Sequence, residues 1–506
     1  MGARVDMRLA SYDNGPPSTR PTGETANTGM KPHETSRVAI VGAGFTGSLT
    51  AAHLLRNAAR PFEVCLIERH PPFGPGTAFK APLPCHLLNV PAVRMSAYPD
   101  GPEHLMKWLT ERASGPDPGF EVDSGGLDAA FLPRRLYGEY VEHTLSEAAE
   151  RSRARLTRIV GEAISIEPDA SGAHPRLRMR DGSTIAADCA VLALGNFPPM
   201  DPLGNGAAVA PGRYAADPWD EEALEGLDSQ STVLTIGSNL TMVDIALTLD
   251  HRGHRGPIVA VSTHGLLPQP HRKNLLPAWS SRVEGRTGRP RELLRALRED
   301  VTLASADGVD WRSVVDAIRP KIVSIWSSWP ERERARFLRH ARAYWEVHRH
   351  RMAPENARTI ASLVEGARLR VIAGRIAGMS ETRDAIEVRV KRRGAAGVET
   401  IRAARVVNCT GPGTDMRRTR DSLVQDLLAR RLARPGPLGL GFDTDRDGAL
   451  MGADGRPSVS LFTLGPLLKG RDWETTAIPE IRMQTEALAL CLARRFVTPG
   501  AHGGSS

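Results

Sequence analysis

The chain has no apolar run approaching 18 residues, so no membrane-spanning helix is expected. Its five cysteines, Cys65, Cys85, Cys189, Cys409 and Cys491, are scattered and none forms a C-x-x-C pair. A dithiol reductase and a thiolate metal site are therefore both without support. Cys65, Cys189 and Cys409 sit inside apolar, strand-like runs and read as buried small hydrophobes. There is no G-x-S-x-G, no H-E-x-x-H and no Walker lysine, which removes the usual signatures of acyl transfer, zinc peptidase and P-loop chemistry. His264 and His271 lie near one another in a loop, but without neighbouring Cys or Glu they read as plain surface residues, and no metal site is expected. No basic run interleaved with aromatics is present, so the net charge of +8 points to small anionic ligands rather than nucleic acid. Residues 1–35 are rich in Pro, Gly, Ser and Thr and lack an apolar segment. They read as a disordered leader, not a secretory signal, and a cytoplasmic location follows by default.

With 506 residues, 41% of them apolar, two or three domains are expected. The most informative stretch is Arg37 to Ala52, a strand-like run, a glycine turn and a helical pattern. Gly42, Gly44 and Gly47 give the G-x-G-x-x-G spacing, with Phe45 and Thr46 between them. In that context Gly42 serves a tight turn, Gly44 lets backbone approach a pyrophosphate, and Gly47 lets helix and strand pack closely. The phosphates would rest on the helix N-terminus, where free N–H groups and the dipole favour anions. Glu68 ends the next apolar run, 21 positions after Gly47. That is the spacing of a ribose-binding acid, which suits a free 2′-hydroxyl and repels a 2′-phosphate. The first site is thus expected to hold FAD or NAD rather than NADP.

A second strand–turn–helix pattern begins at Thr232. Its turn carries Gly237, Asn239 and Met242 where three glycines would be regular. Asn239 is expected to support the turn by tolerating a left-handed conformation, and Met242 to loosen helix–strand packing. Near the end of the following strand Ser262, Thr263 and His264 replace the acid, as acceptors of a 2′-phosphate or as solvated residues. His348-Arg349-His350-Arg351 reads either as a solvated helix face or as arginine facing an anionic ligand. The fold expected is α/β, two interleaved Rossmann-like dinucleotide-binding domains with a helical insert. The divisions are a first FAD-binding part at 36–200, a NAD(P)-binding unit at 225–282, a helical insert at 283–366, the rest of the central sheet at 367–408, a C-terminal FAD-binding part at 409–496 and a tail at 497–506.

Several segments together resemble one family. They include Phe73 to Phe79, His86 to Ala92 (with Leu88, Asn89 and Val90), Pro133-Arg134, Leu194-Gly195-Asn196, Gly237 to Asp244, Asn408 to Pro412 (with Gly411) and Leu464-Gly465-Pro466. Trp473-Glu474 and Ala477 to Glu480 complete the set. The chain is similar to bacterial FAD/NAD(P)-binding proteins that include FAD-dependent urate hydroxylase and the nitrosuccinate-forming aspartate N-oxygenase. The resemblance implies a monooxygenase in which NADH or NADPH reduces FAD, O₂ adds at the flavin C4a position as a peroxyflavin, and one oxygen atom passes to a small anionic substrate. Urate to 5-hydroxyisourate is the first substrate reading and aspartate N-oxygenation the alternative; a non-catalytic flavin-binding or redox-sensing protein is the third. On the same basis Leu88, Asn89 and Val90 would run beside the isoalloxazine, with Asn89 as the catalytic candidate. Gly465 would permit close backbone approach, and the helix after Pro479 would point its N-terminus at flavin O2.

Overall fold

The computed structural model describes residues 36–114, 119–120, 126–203, 212–283 and 287–497. The leader expected at 1–35 lies outside them, as does the tail beyond 497. The first sheet has six strands, in the order Ala449–Met451, Pro457–Thr463, Cys189–Leu192, Arg37–Val41, Glu63–Glu68 and Arg155–Val160. All neighbours pair parallel except the first two, which are antiparallel. Parallel strands carry helices on both faces, so they read as continuous apolar runs. Period-2 alternation then sorts each strand's residues. Val38 and Ile40 pack with Leu54, Leu55, Leu488 and Leu492 on one face, while Ala39 and Val41 pack with Ile166, Leu177 and Leu427 on the other. Each such large apolar side chain contributes roughly 1.5–3 kcal/mol on full burial. The helices on the first face are Phe45–Arg56 and Ile478–Val497.

The second sheet has seven strands, ordered Val398–Ala403, Ile386–Arg392, Leu369–Glu381, Ile258–Ser262, Val233–Ile236, Arg405–Asn408 and Tyr214–Ala215. Its parallel centre, Ile258–Ser262, Val233–Ile236 and Arg405–Asn408, is interposed in sequence between the two parts of the first sheet. The architecture is α/β with two interleaved Rossmann-like units. A three-stranded antiparallel sheet, Ala163–Pro168, Pro175–Met179 and Thr184–Ala186, turns at Asp181-Gly182, where Gly182 has φ +88°. Between the second-sheet strands lies a run of helices from Pro290–Ala306 to Pro354–Glu365. Trp326 and Trp329 of this run are core, and Trp326 stacks on Trp473 at 4.9 Å.

Candidate functional site

The two units build the same crevice. In the first, Gly42 has φ +98°, and a Cβ there would lie 2.3 Å from the carbonyl oxygen of Ala193 on the adjacent strand's end. In the second, Gly237 has φ +117°, and its Cβ would lie 2.2 Å from the carbonyl oxygen of Cys409. Each neighbouring strand then ends at a left-handed glycine two residues on, Gly195 (φ +69°) and Gly411 (φ +88°). Both turns thus leave the carboxyl end of a strand beside a crossover, where doubly wound sheets bind ligands.

A cleft of about 280 Å³ opens at the first turn. Gly42, Gly44, Phe45, Thr46, Glu68, Pro466, Thr476 and Ile478 are among the residues that line it. A Cβ on Gly47 would fall 1.8 Å from the Gly42 carbonyl oxygen, so only glycine lets the helix start this close to the turn. Gly44 is also a packing glycine, because its Cβ would meet the Cα of Gly76 at 3.2 Å. Gly44 supplies no side-chain cap to the helix Phe45–Arg56, which leaves the first-turn N–H groups for a phosphate. The Ala43 N–H donates to Glu68 Oε2 at 2.8 Å and the His70 N–H to Oε1 at 3.2 Å. These bonds fix the carboxylate while leaving lone pairs for ribose hydroxyls. Residues and cradle therefore fit an adenine dinucleotide.

Gly465 (φ +71°) donates its N–H to Gln484 Oε1 at 3.0 Å, and its Cβ would lie 3.1 Å from Thr46 Oγ1. It brings the end of the C-terminal strand against Thr46 of the fingerprint helix. The long C-terminal helix begins at Ile478, and both Ile478 and Ile481 line the cleft. Leu88 and Val90 are buried in one cluster with those two isoleucines. Asn89 is half-buried, and its backbone oxygen accepts from His271 Nε2 at 2.9 Å. Leu88, Asn89 and Val90 are not among the residues that line the cleft. His271 is held neutral, its pKa pushed down to about 3 by burial first and by Arg351, Arg312 and Arg94 nearby.

Other expectations require correction. Asn239 is not left-handed. It is extended (φ −94°, ψ −165°) and caps the helix Leu240–His251, its side chain accepting from the Leu240 N–H, because Gly237 already makes the turn. Ser262 is bonded internally, accepting from Ser238 Oγ at 2.7 Å and the Gly265 N–H at 3.0 Å. His264 meets Arg393 Nη1 at 3.0 Å, so His264 and His271 have separate partners. Of the 348–351 run His348 is exposed, but Arg349 and Arg351 are 5% and 2% exposed and do not form a solvated face. Long-range partners that local sequence patterns do not reveal account for this. Glu474 and Glu480 approach Arg349 at 3.5 and 3.4 Å, and Asp316 binds Arg351.

Sequence reasoning also missed the clamp between the two units. Arg134 makes a two-pronged contact with Asp244 at 2.8 and 2.9 Å and donates from Nε to the Leu87 carbonyl at 3.1 Å. Asp244 is on the helix of the second turn, so that helix is tied directly to the chain leading into Leu88–Val90. Both residues fell within the resembling segments, but nothing local shows that they pair.

Residues 39–197 match the family model described as FAD-NAD(P)-binding. No curated protein matches the sequence. Among solved structures, the reduced ornithine hydroxylase PvdA of Pseudomonas aeruginosa superposes with a TM-score of 0.63 at 15% identity, over 91% of this chain and 99% of that one. L-lysine 6-monooxygenase of Pseudomonas syringae gives 0.63 at 16%, over 92% and 100%. The FAD-bound cadaverine monooxygenase DfoA of Erwinia amylovora gives 0.62 at 14%, over 94% and 98%. At these identities the likeness establishes the fold, two dinucleotide-binding domains running nearly end to end with theirs. Among the described residues no helix is long and apolar enough to cross a membrane.

Proposed function

We propose that this chain is an FAD-dependent, NAD(P)H-using monooxygenase that hydroxylates the amine nitrogen of a small amino acid. The observation that carries the reading is the pair of equivalent crevices. A small cavity bordered by Pro412 and Gly413, which follow Gly411, shares Gly195, Asn196, Pro466 and Thr476 with the cleft at the first turn. Cofactors in the two sites would converge there. The balanced reaction is R–NH₂ + O₂ + NAD(P)H + H⁺ giving R–NHOH + NAD(P)⁺ + H₂O. Bound FAD supplies the oxygen activation, and the chain holds, orients and shields. Glu68 would hold the adenosine ribose, the Phe45–Gly47 turn the diphosphate, and the N-terminus of the helix Ile478–Val497 would offer unpaired N–H groups to an anionic edge of the flavin. Asn89, kept in place by neutral His271, is the candidate to bond the reacting groups.

Amine oxidation is favoured over urate because the solved structures sharing the fold include proteins named for ornithine, lysine and cadaverine chemistry. Nothing in them points to a purine. At the second site the strand Ile258–Ser262 ends without an acid, and Arg393 stands against His264 just beyond it, which suits the 2′-phosphate of NADPH. The test is FAD-loaded protein with NADPH, O₂ and a panel of amino acids and urate, analysed by mass spectrometry. A hydroxylamine, one oxygen heavier than the amine supplied, is expected. Oxidation of urate alone, or NADPH consumption giving only peroxide with every amine, overturns the reading.

A further inference from the structure

Three of the chain's six tyrosines, Tyr98, Tyr137 and Tyr140, gather in one apolar cluster, with Trp108 packed against it. Phe45, Phe79, Ile478 and Ile481 belong to the same cluster and also line the cleft, so the tyrosines stand directly behind the cleft wall. The Tyr137 ring lies 6.0 Å from Phe45 and 5.0 Å from Phe79. Tyr140 lies 5.5 Å from Tyr137, and Trp108 lies 5.5 Å from Tyr140. Tyr137 and Tyr140 are fully buried, whereas Trp108 is half-buried, with the Arg112 guanidinium 5.3 Å over its ring. An unbroken file of rings thus leads outward from the cleft lining, each pair within the range of direct aromatic contact.

The hydrogen bonds along this file are unequal. Tyr137 donates its hydroxyl to the Met95 carbonyl at 2.9 Å, an acceptor that cannot take the proton away. The Tyr140 oxygen accepts from the Ala97 N–H at 3.0 Å and meets His104 Nδ1 at 2.7 Å. His104 Nε2 in turn stands 3.0 Å from Glu147 Oε2. The carboxylate keeps the proton of a neutral imidazole on Nε2, which leaves Nδ1 to accept from the Tyr140 hydroxyl. Burial pushes the Tyr140 phenol up to about 12, so it holds its proton at rest. A plain carbonyl satisfies Tyr137, but Tyr140 is given a base backed by a carboxylate, and the monooxygenase reaction makes no use of that base.

We propose that Tyr137, Tyr140 and Trp108 form a one-electron path between the cleft and the surface, with His104 as the proton acceptor for Tyr140. Phenol and indole rings release single electrons more readily than other side chains, and a phenol does so easily only when its proton can leave as well. In the step, a strong one-electron oxidant in the cleft, such as a light-excited flavin ring, takes one electron from Tyr140 through Tyr137. The Tyr140 O–H bond breaks and an N–H bond forms at His104 Nδ1. The products are the singly reduced oxidant, a neutral tyrosyl radical and an imidazolium beside Glu147. A one-electron donor in solution then restores Tyr140 through Trp108, and the proton returns from His104. The path draws oxidising equivalents away from the side chains of the cleft. It goes beyond the monooxygenase reading and needs from it only that a flavin binds.

Two oxidants test the path. In the first arm, azidyl radical made by pulse radiolysis oxidises tryptophans of the purified chain before FAD is added. A first-order transfer from tryptophanyl to tyrosyl radical, independent of protein concentration, is expected, with a component that is lost in Tyr140→Phe and in Trp108→Phe. His104→Gln, which keeps an acceptor but not a base, should slow that component at least about tenfold, and deuterated water should slow it in the parent chain. In the second arm, FAD-loaded protein is frozen under blue light and examined by electron paramagnetic resonance. A tyrosyl signal is expected in the parent chain and not in Tyr140→Phe. Ferrocyanide, too polar to enter the core, should quench it in the parent chain but not in Trp108→Phe. Melting temperature and flavin content check folding; if Tyr140→Phe does not fold, Tyr137→Phe and His104→Gln carry the comparison. Equal tyrosyl signals in the parent chain and Tyr140→Phe, indifference to His104→Gln and to deuterated water, or transfer in the first arm with no light-induced signal in FAD-loaded protein overturns the proposal. A chain that takes up no FAD sinks the monooxygenase reading, while the first arm still supports or overturns the path.

Discussion

Replacing Gly42 with alanine imposes two separate penalties. The residue sits at φ +98°, where an L side chain costs roughly 1–2 kcal/mol. Its Cβ would also lie 2.3 Å from the Ala193 carbonyl oxygen, a backbone atom in a central strand's exit that cannot swing aside. Overpacking of this kind adds roughly 1–3 kcal/mol. Relief requires opening the crossover between the strands Arg37–Val41 and Cys189–Leu192, which is where the diphosphate would rest. Gly182→Ala is the matched control, because Gly182 has φ +88° but no heavy atom within 4 Å of its Cβ, and it lies in a hairpin away from the cleft. Urea denaturation and flavin titration of both variants separate strain from clash. Gly182→Ala should lose about 1 kcal/mol and keep its FAD. Gly42→Ala should lose roughly 2–5 kcal/mol and bind FAD more than about 30-fold more weakly. Equal losses in the two variants with FAD affinity intact would refute the crossover geometry as the cofactor cradle.

Glu68→Ala should weaken FAD about tenfold, since it removes both the ribose acceptor and the bond that steadies the Ala43 N–H, and fluorescence titration reads this directly. Asp244→Ala leaves the Arg134 guanidinium, 16% exposed, without its carboxylate; a stability loss of about 3–5 kcal/mol and impaired NADPH-driven flavin reduction are expected in denaturation and stopped-flow experiments. Burial holds His53 down to about 4 and His271 to about 3, below their unfolded values. The unfolded chain therefore takes up protons first, and the stabilising effect present above pH ~6.5 is lost as pH falls toward 3–4. At about pH 5 each histidine should cost the fold roughly 2 kcal/mol relative to neutral pH, and His53→Phe should flatten the denaturation profile by one such increment. Half-buried Cys85 and Cys491 should react with a thiol reagent before Cys65, Cys189 and Cys409, which are buried; burial pushes the Cys65 thiol up to about 11 and Cys409 higher still. Mass mapping of early labels checks the order.

The first glycine turn was legible because its requirements are local. Gly42 and Gly47 each exclude a Cβ for reasons set within a few residues and one neighbouring strand, and Glu68 follows from strand length. The hairpin at Asp181-Gly182 and the final helix were legible for similar reasons. Asn239 was misread because a residue that tolerates a left-handed turn is equally good as an N-cap, and only the backbone distinguishes the roles. Arg349 and Arg351 were half-read. Their spacing says nothing of Glu474 and Glu480, more than a hundred positions from Arg349, or of Asp316, 35 positions from Arg351, which make burial tolerable. The Arg134–Asp244 clamp and the Gly44–Gly76 contact were illegible for the same reason, since each is a pairing across separate elements.

The most direct measurement is the flavin stoichiometry of the purified chain after incubation with FAD and gel filtration, read by absorbance and by mass of the released cofactor. One FAD per chain, reduced to about half or less in Gly42→Ala at the same concentration, is the expected outcome. A colourless protein that takes up no flavin contradicts it.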